Sequence, residues 1–183
     1  TVVIQTKFKQ EDFGFGEQSS LGEVTWTIYP AGWVKLDVTY AVEKYYSNML
    51  GISFSYPEQY MKSVRWFGDG PYRVWKNRMK GTKLNVWEKD YNNTITGATG
   101  YDYPEFKGYH SDMYWARFNT EEQPFTVVTP QRDIFLRLFT PDYPDNPANT
   151  APPFPSGDIS FMHGITGIGT KTQVPKNMGP MGR

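Results

Sequence analysis

The sequence predicts an all-β protein built as an antiparallel β-sandwich, and three observations support that prediction. Aromatic residues make up 17% of the 183 residues, and aromatic side chains fit the pleated surfaces of sheets. The chain also contains 17 glycines and 14 prolines, the residues that end strands and form turns. No long segment places its apolar residues at the 3.6-residue spacing of a helix.

Alternation of apolar and polar residues predicts the first strands of the chain. Residues 1–7 have the composition of a strand, and residues 24–28 and 34–42 alternate with a period of two. Residues 29–33 contain proline and glycine, so we predict a hairpin connection there. Residues 41–49 could form no more than a short helical turn.

The rest of the chain predicts further strands separated by turns and one long loop. In order, these strands are expected at residues 49–56, 62–67, 113–119, 125–129, 132–140 and 158–164. Residues 141–157 are rich in proline and predict a long surface loop, because proline cannot lie in a central strand. Residues 165–183 predict an extended tail. We expect residues 1–183 to form a single domain, a C-terminal fragment of a longer polypeptide.

Composition excludes several classes of partner. The net charge is zero, which argues against nucleic acid and anionic membranes, because both require a basic surface. No apolar run reaches the ~18 residues of a membrane span. With no cysteine and only two histidines, the sequence predicts no metal site, and no cofactor is expected.

The most informative motif lies at residues 64–78, whose sequence is Val-Arg-Trp-Phe-Gly-Asp-Gly-Pro-Tyr-Arg-Val-Trp-Lys-Asn-Arg. It resembles the W-x-G-x-G-P signature in the C-terminal β-sandwich domain of family 2 glycoside hydrolases, the β-galactosidase group. Arg73 stands where that family often has glutamate. Segments 50–54, 101–109 and 163–170 match further family motifs in the same order along the chain.

The resemblance implies a fold, a role and a set of contact residues. The fold is the antiparallel supersandwich, which is similar to galactose mutarotase. The implied role is structural support and carbohydrate contact beside a catalytic barrel elsewhere in the parent enzyme, which is expected to be bacterial and periplasmic or extracellular. The partners are then an oligosaccharide or glycoside and the remaining domains of that enzyme. The expected carbohydrate-contact residues are Trp66, Tyr72, Arg73, Trp75, Tyr101, Tyr103 and Glu105.

Within this set we expect different environments. Trp66 precedes the glycines on a strand and is expected to be buried, whereas Tyr72 and Trp75 are expected to face a sugar. No catalytic residue is predicted, because family 2 hydrolysis uses two carboxylates that the family carries on its barrel. Two alternatives remain: a free-standing carbohydrate-binding module, or a mutarotase-like epimerase. The epimerase would use His110 and His163 with Glu105 as acid and base.

Overall fold

A computed structural model describes residues 1–8, 19–42, 49–93, 103–143, 151–170 and 173–174. Contacts divide the chain into two compact units, Thr1–Ser47 and Asn48–Arg183. The strands are β1 (Val2–Lys7), β2 (Ser19–Ile28), β3 (Val34–Val42), β4 (Leu50–Phe54), β5 (Met61–Gly70), β6 (Lys83–Asp90), β7 (Gly108–His110), β8 (Trp115–Thr120), β9 (Phe125–Val128), β10 (Phe135–Leu138) and β11 (Ile159–Gly164). Within the described ranges, one 3-10 turn (Glu58–Tyr60) is the only helical segment.

The first unit is a three-stranded antiparallel sheet with the order β1-β2-β3. Its register places Ile4, Trp26 and Leu36 in one cross-strand row. The next row, on the opposite face, contains Gln5 and Thr25. The period-two pattern in the sequence therefore becomes one apolar and one polar face.

The second unit contains two four-stranded antiparallel sheets, with the orders β4-β11-β10-β7 and β6-β5-β8-β9. One apolar core joins the two sheets, as expected for a β-sandwich. Its members on the strands are Met61, Val64, Trp66, Ala116, Phe118, Leu136, Leu138 and Ile159. The prediction of an all-β antiparallel fold is confirmed.

A second apolar cluster covers the other face of the β4-β11-β10-β7 sheet. It contains Phe135 of β10 and Met162 of β11, together with Val74 and Trp75 from the segment between β5 and β6. Strand β10 is consequently buried on both faces. This packing holds the segment that carries the aromatic motif against that sheet.

Several boundaries differ from the prediction for identifiable reasons. Strand β5 does not end at Phe67 but continues to Gly70, because β6 pairs with it over that length. Strands β6 and β7 were missed, the first because its apolar residues face both sides. The predicted helical turn at 41–49 lies mostly outside the described residues, as do parts of the proline-rich segment 141–157 and of the tail 165–183. The single-domain prediction stays a prediction.

No helix among the described residues is long and apolar enough to cross a membrane.

Candidate carbohydrate-contact site

The turn segment, which we define as residues 71–78, is held against β7. The backbone N–H of Val74 donates to the carbonyl of Tyr109 at 2.7 Å. Trp75 and Arg78 exchange two backbone hydrogen bonds, of 3.2 and 2.7 Å, which close a tight turn. The turn segment therefore lies beside residues 103–110, the second part of the predicted site.

Two tyrosines expose their rings at this junction. Tyr72 is 47% exposed and Tyr103 is 57% exposed. Their ring centroids are 6.4 Å apart with an interplanar angle of 70°, an edge-to-face arrangement. The structure thus brings together two of the predicted contact residues at the surface. Tyr101 lies outside the described residues.

Arg73 and Glu105 form an ion pair close to these tyrosines. The Nε atom of Arg73 lies 3.3 Å from Oε1 of Glu105, and both side chains are about nine-tenths buried. The guanidinium also donates to the carbonyl of Lys107 at 3.4 Å. No donor in the described part of the chain reaches the buried Oε2 of Glu105. The pair therefore links the turn segment to the residues that directly precede β7.

Gly108 permits this link. A Cβ atom at Gly108 would lie 2.8 Å from Cδ of Arg73, and the backbone there has φ of 120°, which disfavours other residues. Gly70 has a comparable packing role, because a Cβ atom there would lie 2.6 Å from the Trp87 ring and 2.8 Å from the Trp66 ring. The glycines of the motif thus allow aromatic rings to pack closely against the backbone.

The two tryptophans of the predicted site lie in the core. Trp66 is buried as expected, and its indole N–H donates to the carbonyl of Asp69 at 3.3 Å. Trp75 is only 5% exposed, which differs from the expectation that it faces a sugar. The rings of Tyr109 and Phe154 pack edge-to-face on it at 5.7 and 5.5 Å. The Trp75 ring is thus surrounded by two rings that are distant in the sequence and by the Arg73 guanidinium, whose carbon lies 5.8 Å from the ring centroid.

The sequence analysis missed a partly buried polar cluster that includes Lys107, two residues after Glu105 in the sequence. The carboxylate of Glu58 accepts hydrogen bonds from Nζ of Lys107 at 2.5 Å and from the hydroxyl of Tyr91 at 2.6 Å. Burial, and then this hydrogen bond, raise the pKa of the Tyr91 hydroxyl. Lys107 follows Glu105 by two residues in the Pro-Glu-Phe-Lys segment. This closeness in the sequence was the signal that could have indicated Lys107 as part of the site.

The two histidines occupy different environments. His110 is fully buried on β7, and its Nε2 atom lies 3.2 Å from the carbonyl of Phe106. Burial lowers the pKa of His110 to about 4, so its imidazole is neutral near pH 7. The Nε2 atom of His163 lies 3.0 Å from Oε1 of Gln131, and desolvation lowers its pKa. A buried, neutral His110 is poorly placed to transfer a proton to a sugar.

No cluster of three or more potential metal ligands occurs among the described residues.

Comparison with known proteins identifies the family. Residues 2–162 match the family described as beta galactosidase small chain, and this region includes the turn segment and both exposed tyrosines. The curated proteins and the solved structures gave no significant match. The family match confirms the resemblance that the motifs predicted. The chain therefore belongs to the β-galactosidase small chain family.

Proposed function

We propose that this chain is an accessory domain of a β-galactosidase that supports the catalytic barrel and contributes a carbohydrate contact. The observation that carries the proposal is the exposed pair of Tyr72 and Tyr103. Aromatic rings present an apolar face to the C–H groups of a pyranose, and their hydroxyl groups can exchange hydrogen bonds with sugar hydroxyls. Two exposed rings on adjoining segments are suited to that contact.

The surroundings of the tyrosines favour a preorganised contact. Each tyrosine is next to a proline, Pro71 or Pro104, which restricts the local backbone. The buried ion pair of Arg73 and Glu105 fixes the two segments relative to each other. Because both segments are already fixed before binding, less conformational entropy is lost when a sugar binds. In this proposal Arg73 and Glu105 position the tyrosines.

The remaining predicted contact residues take other roles in the proposal. Trp66 and Trp75 belong to the core that supports the site, since both are buried. Tyr101 stays a predicted sugar contact, because it precedes Tyr103 by two residues in the sequence. The carboxylate pair that hydrolyses the glycoside is contributed by the parent enzyme's barrel, where the two groups are expected about 5 Å apart.

A titration with lactose followed by two-dimensional NMR tests the carbohydrate contact. We expect backbone amide shifts at residues 72–74, 103 and 105 in the unaltered chain, because the prolines at 71 and 104 have no backbone N–H. Replacing Tyr72 or Tyr103 by alanine should abolish these shifts while leaving the melting temperature nearly unchanged, because both side chains are exposed. Tyr29→Ala is the matched control, since Tyr29 is also an exposed tyrosine but lies in the first unit.

The outcomes separate the alternatives. Lactose shifts that persist in both variants, or shifts confined to other residues, would contradict a contact at the tyrosine pair. Submillimolar binding by the isolated chain would instead support a free-standing carbohydrate-binding module. A single stacked ring contributes only about 0.5–1.5 kcal/mol, so an accessory domain is expected to bind weakly alone.

A further inference from the structure

Residues 104–107 join Tyr103 to β7 outside the described strands, and the side chain of Asn92 holds their main chain. The Nδ2 atom of Asn92 donates to the carbonyl of Pro104 at 3.2 Å, and its Oδ1 atom accepts from the backbone N–H of Phe106 at 3.2 Å. Phe106 is fully buried, so its N–H needs a partner within the protein. One amide therefore holds the main chain on both sides of residue 105.

Asn92 is a suitable anchor because the residues around it are themselves fixed. It lies two residues after the end of β6, and the backbone N–H of Tyr91 donates to the carbonyl of Lys62 on β5 at 2.8 Å. The Tyr91 ring packs edge-to-face on Phe106 with centroids 5.3 Å apart, and its hydroxyl donates to Glu58 at 2.6 Å. The amide of Asn92 is thus attached to the β6-β5-β8-β9 sheet before any sugar binds.

We propose, on the basis of the sugar contact proposed above, that Asn92 is a positioning residue that sets the direction of Tyr103. The ion pair of Arg73 and Glu105 joins the turn segment to residue 105. That pair joins the two segments to each other, whereas Asn92 joins residues 104–106 to the sheet. Asn92 thereby fixes where the Tyr103 ring lies relative to the Tyr72 ring, and these two rings form the sugar contact.

The chemistry of the amide makes this role specific to asparagine. The carbonyl of Pro104 needs a donor and the N–H of Phe106 needs an acceptor, and an amide carries both. Asn92→Asp keeps the acceptor for Phe106 but places a carboxylate oxygen against the carbonyl oxygen of Pro104. The variant therefore loses one hydrogen bond while the buried N–H of Phe106 stays satisfied. The main chain is released at Pro104, directly beside Tyr103.

A lactose titration of the full chain, followed by two-dimensional NMR, tests the proposal in Asn92→Asp. We expect the dissociation constant for lactose to rise about three- to tenfold, since one hydrogen bond that orients the contact is lost. Nuclear Overhauser contacts between the rings of Tyr72 and Tyr103 should also weaken, because their edge-to-face arrangement at 6.4 Å depends on the direction of Tyr103. A residue that only stabilised the fold would not change these ring contacts in a folded variant.

Asn93→Asp is the matched control. Asn93 is the next residue in the chain, and its amide also donates to an oxygen atom, but this atom is Oδ2 of Asp142, at 2.9 Å. We expect this control to keep the lactose dissociation constant and the ring contacts of the unaltered chain. Hydrogen exchange of the unaltered chain adds a measurement that needs no variant, because the buried amide of Phe106 should be strongly protected.

The outcomes separate this inference from the proposed function. A lactose response that is lost in Tyr103→Ala but unchanged in Asn92→Asp would overturn the role of Asn92 and leave the sugar contact standing. The absence of any lactose response in the unaltered chain would overturn both. Equal effects of Asn92→Asp and Asn93→Asp, or rapid exchange of the Phe106 amide hydrogen, would also overturn the role of Asn92.

Discussion

Replacing Trp75 by alanine separates a core role from a sugar contact. Trp75 is 5% exposed and packs edge-to-face against Tyr109 and Phe154. Removing a buried tryptophan side chain costs about 3–5 kcal/mol of unfolding free energy, which includes the lost burial and the cavity. This is a large part of the roughly 5–15 kcal/mol that stabilises a typical domain.

Urea unfolding followed by circular dichroism measures this change. Tyr72→Ala is the comparison, because Tyr72 belongs to the same turn segment and is exposed, so its removal should cost less than about 1 kcal/mol. We therefore expect a clear separation between the two variants. The backbone hydrogen bonds between Trp75 and Arg78 remain possible in both.

One result would refute this reasoning. If Trp75→Ala lost less than about 1 kcal/mol of stability and also abolished the lactose response, Trp75 would be a sugar contact. Its burial against Tyr109 and Phe154 would then fail to describe the protein in solution. The original expectation that Trp75 faces a sugar would be restored.

Three further predictions follow from buried groups. Burial lowers the pKa of His110 from 6.5 to about 4, so between these pH values the unfolded chain binds a proton that the folded chain does not. The free energy of unfolding should therefore fall by roughly 3 kcal/mol as pH drops from 6.5 to 4, and in urea unfolding a His110→Phe variant should lose less stability over this pH range. Gly70→Ala should lower the unfolding free energy by about 1–3 kcal/mol, because its Cβ atom would overlap two tryptophan rings, and an unchanged melting temperature would contradict that overlap. Glu105→Ala should lower the free energy of unfolding by about 3–5 kcal/mol, because it leaves the Arg73 guanidinium buried without its carboxylate. In a double-mutant cycle, adding Arg73→Met should recover part of this loss, and strictly additive losses from the two changes would contradict the ion pair.

The sequence predicted those strands whose side chains obey a simple alternation. Strand β3 coincides with the predicted residues 34–42, whereas β2 begins at Ser19, five residues before the predicted start, because only its second half has apolar residues at every second position. Strand β6 was missed because Val86 and Trp87 are adjacent apolar residues that face opposite sides of the sheet. An edge strand with apolar residues on both faces does not have the period-two pattern on which the prediction depended.

Only part of the candidate site could be predicted from local sequence. The glycines and proline of the motif indicated a turn after β5, and the family resemblance indicated which aromatic residues to consider. The burial of Trp75 depends on Tyr109 and Phe154, which are distant in the sequence and approach it only in the folded chain. The pairing of Arg73 with Glu105 has the same origin, since the two residues lie on different segments that the fold brings together.

The most direct test of the central claim is the effect of the tyrosine pair on lactose hydrolysis by the parent β-galactosidase. The account predicts that replacing Tyr72 and Tyr103 together by alanine lowers kcat/KM for lactose by about tenfold, mainly through KM, since two ring contacts of about 0.5–1.5 kcal/mol are lost. The melting temperature should stay within a few degrees of its original value. An unchanged kcat/KM in a folded double variant would contradict a sugar contact at this site.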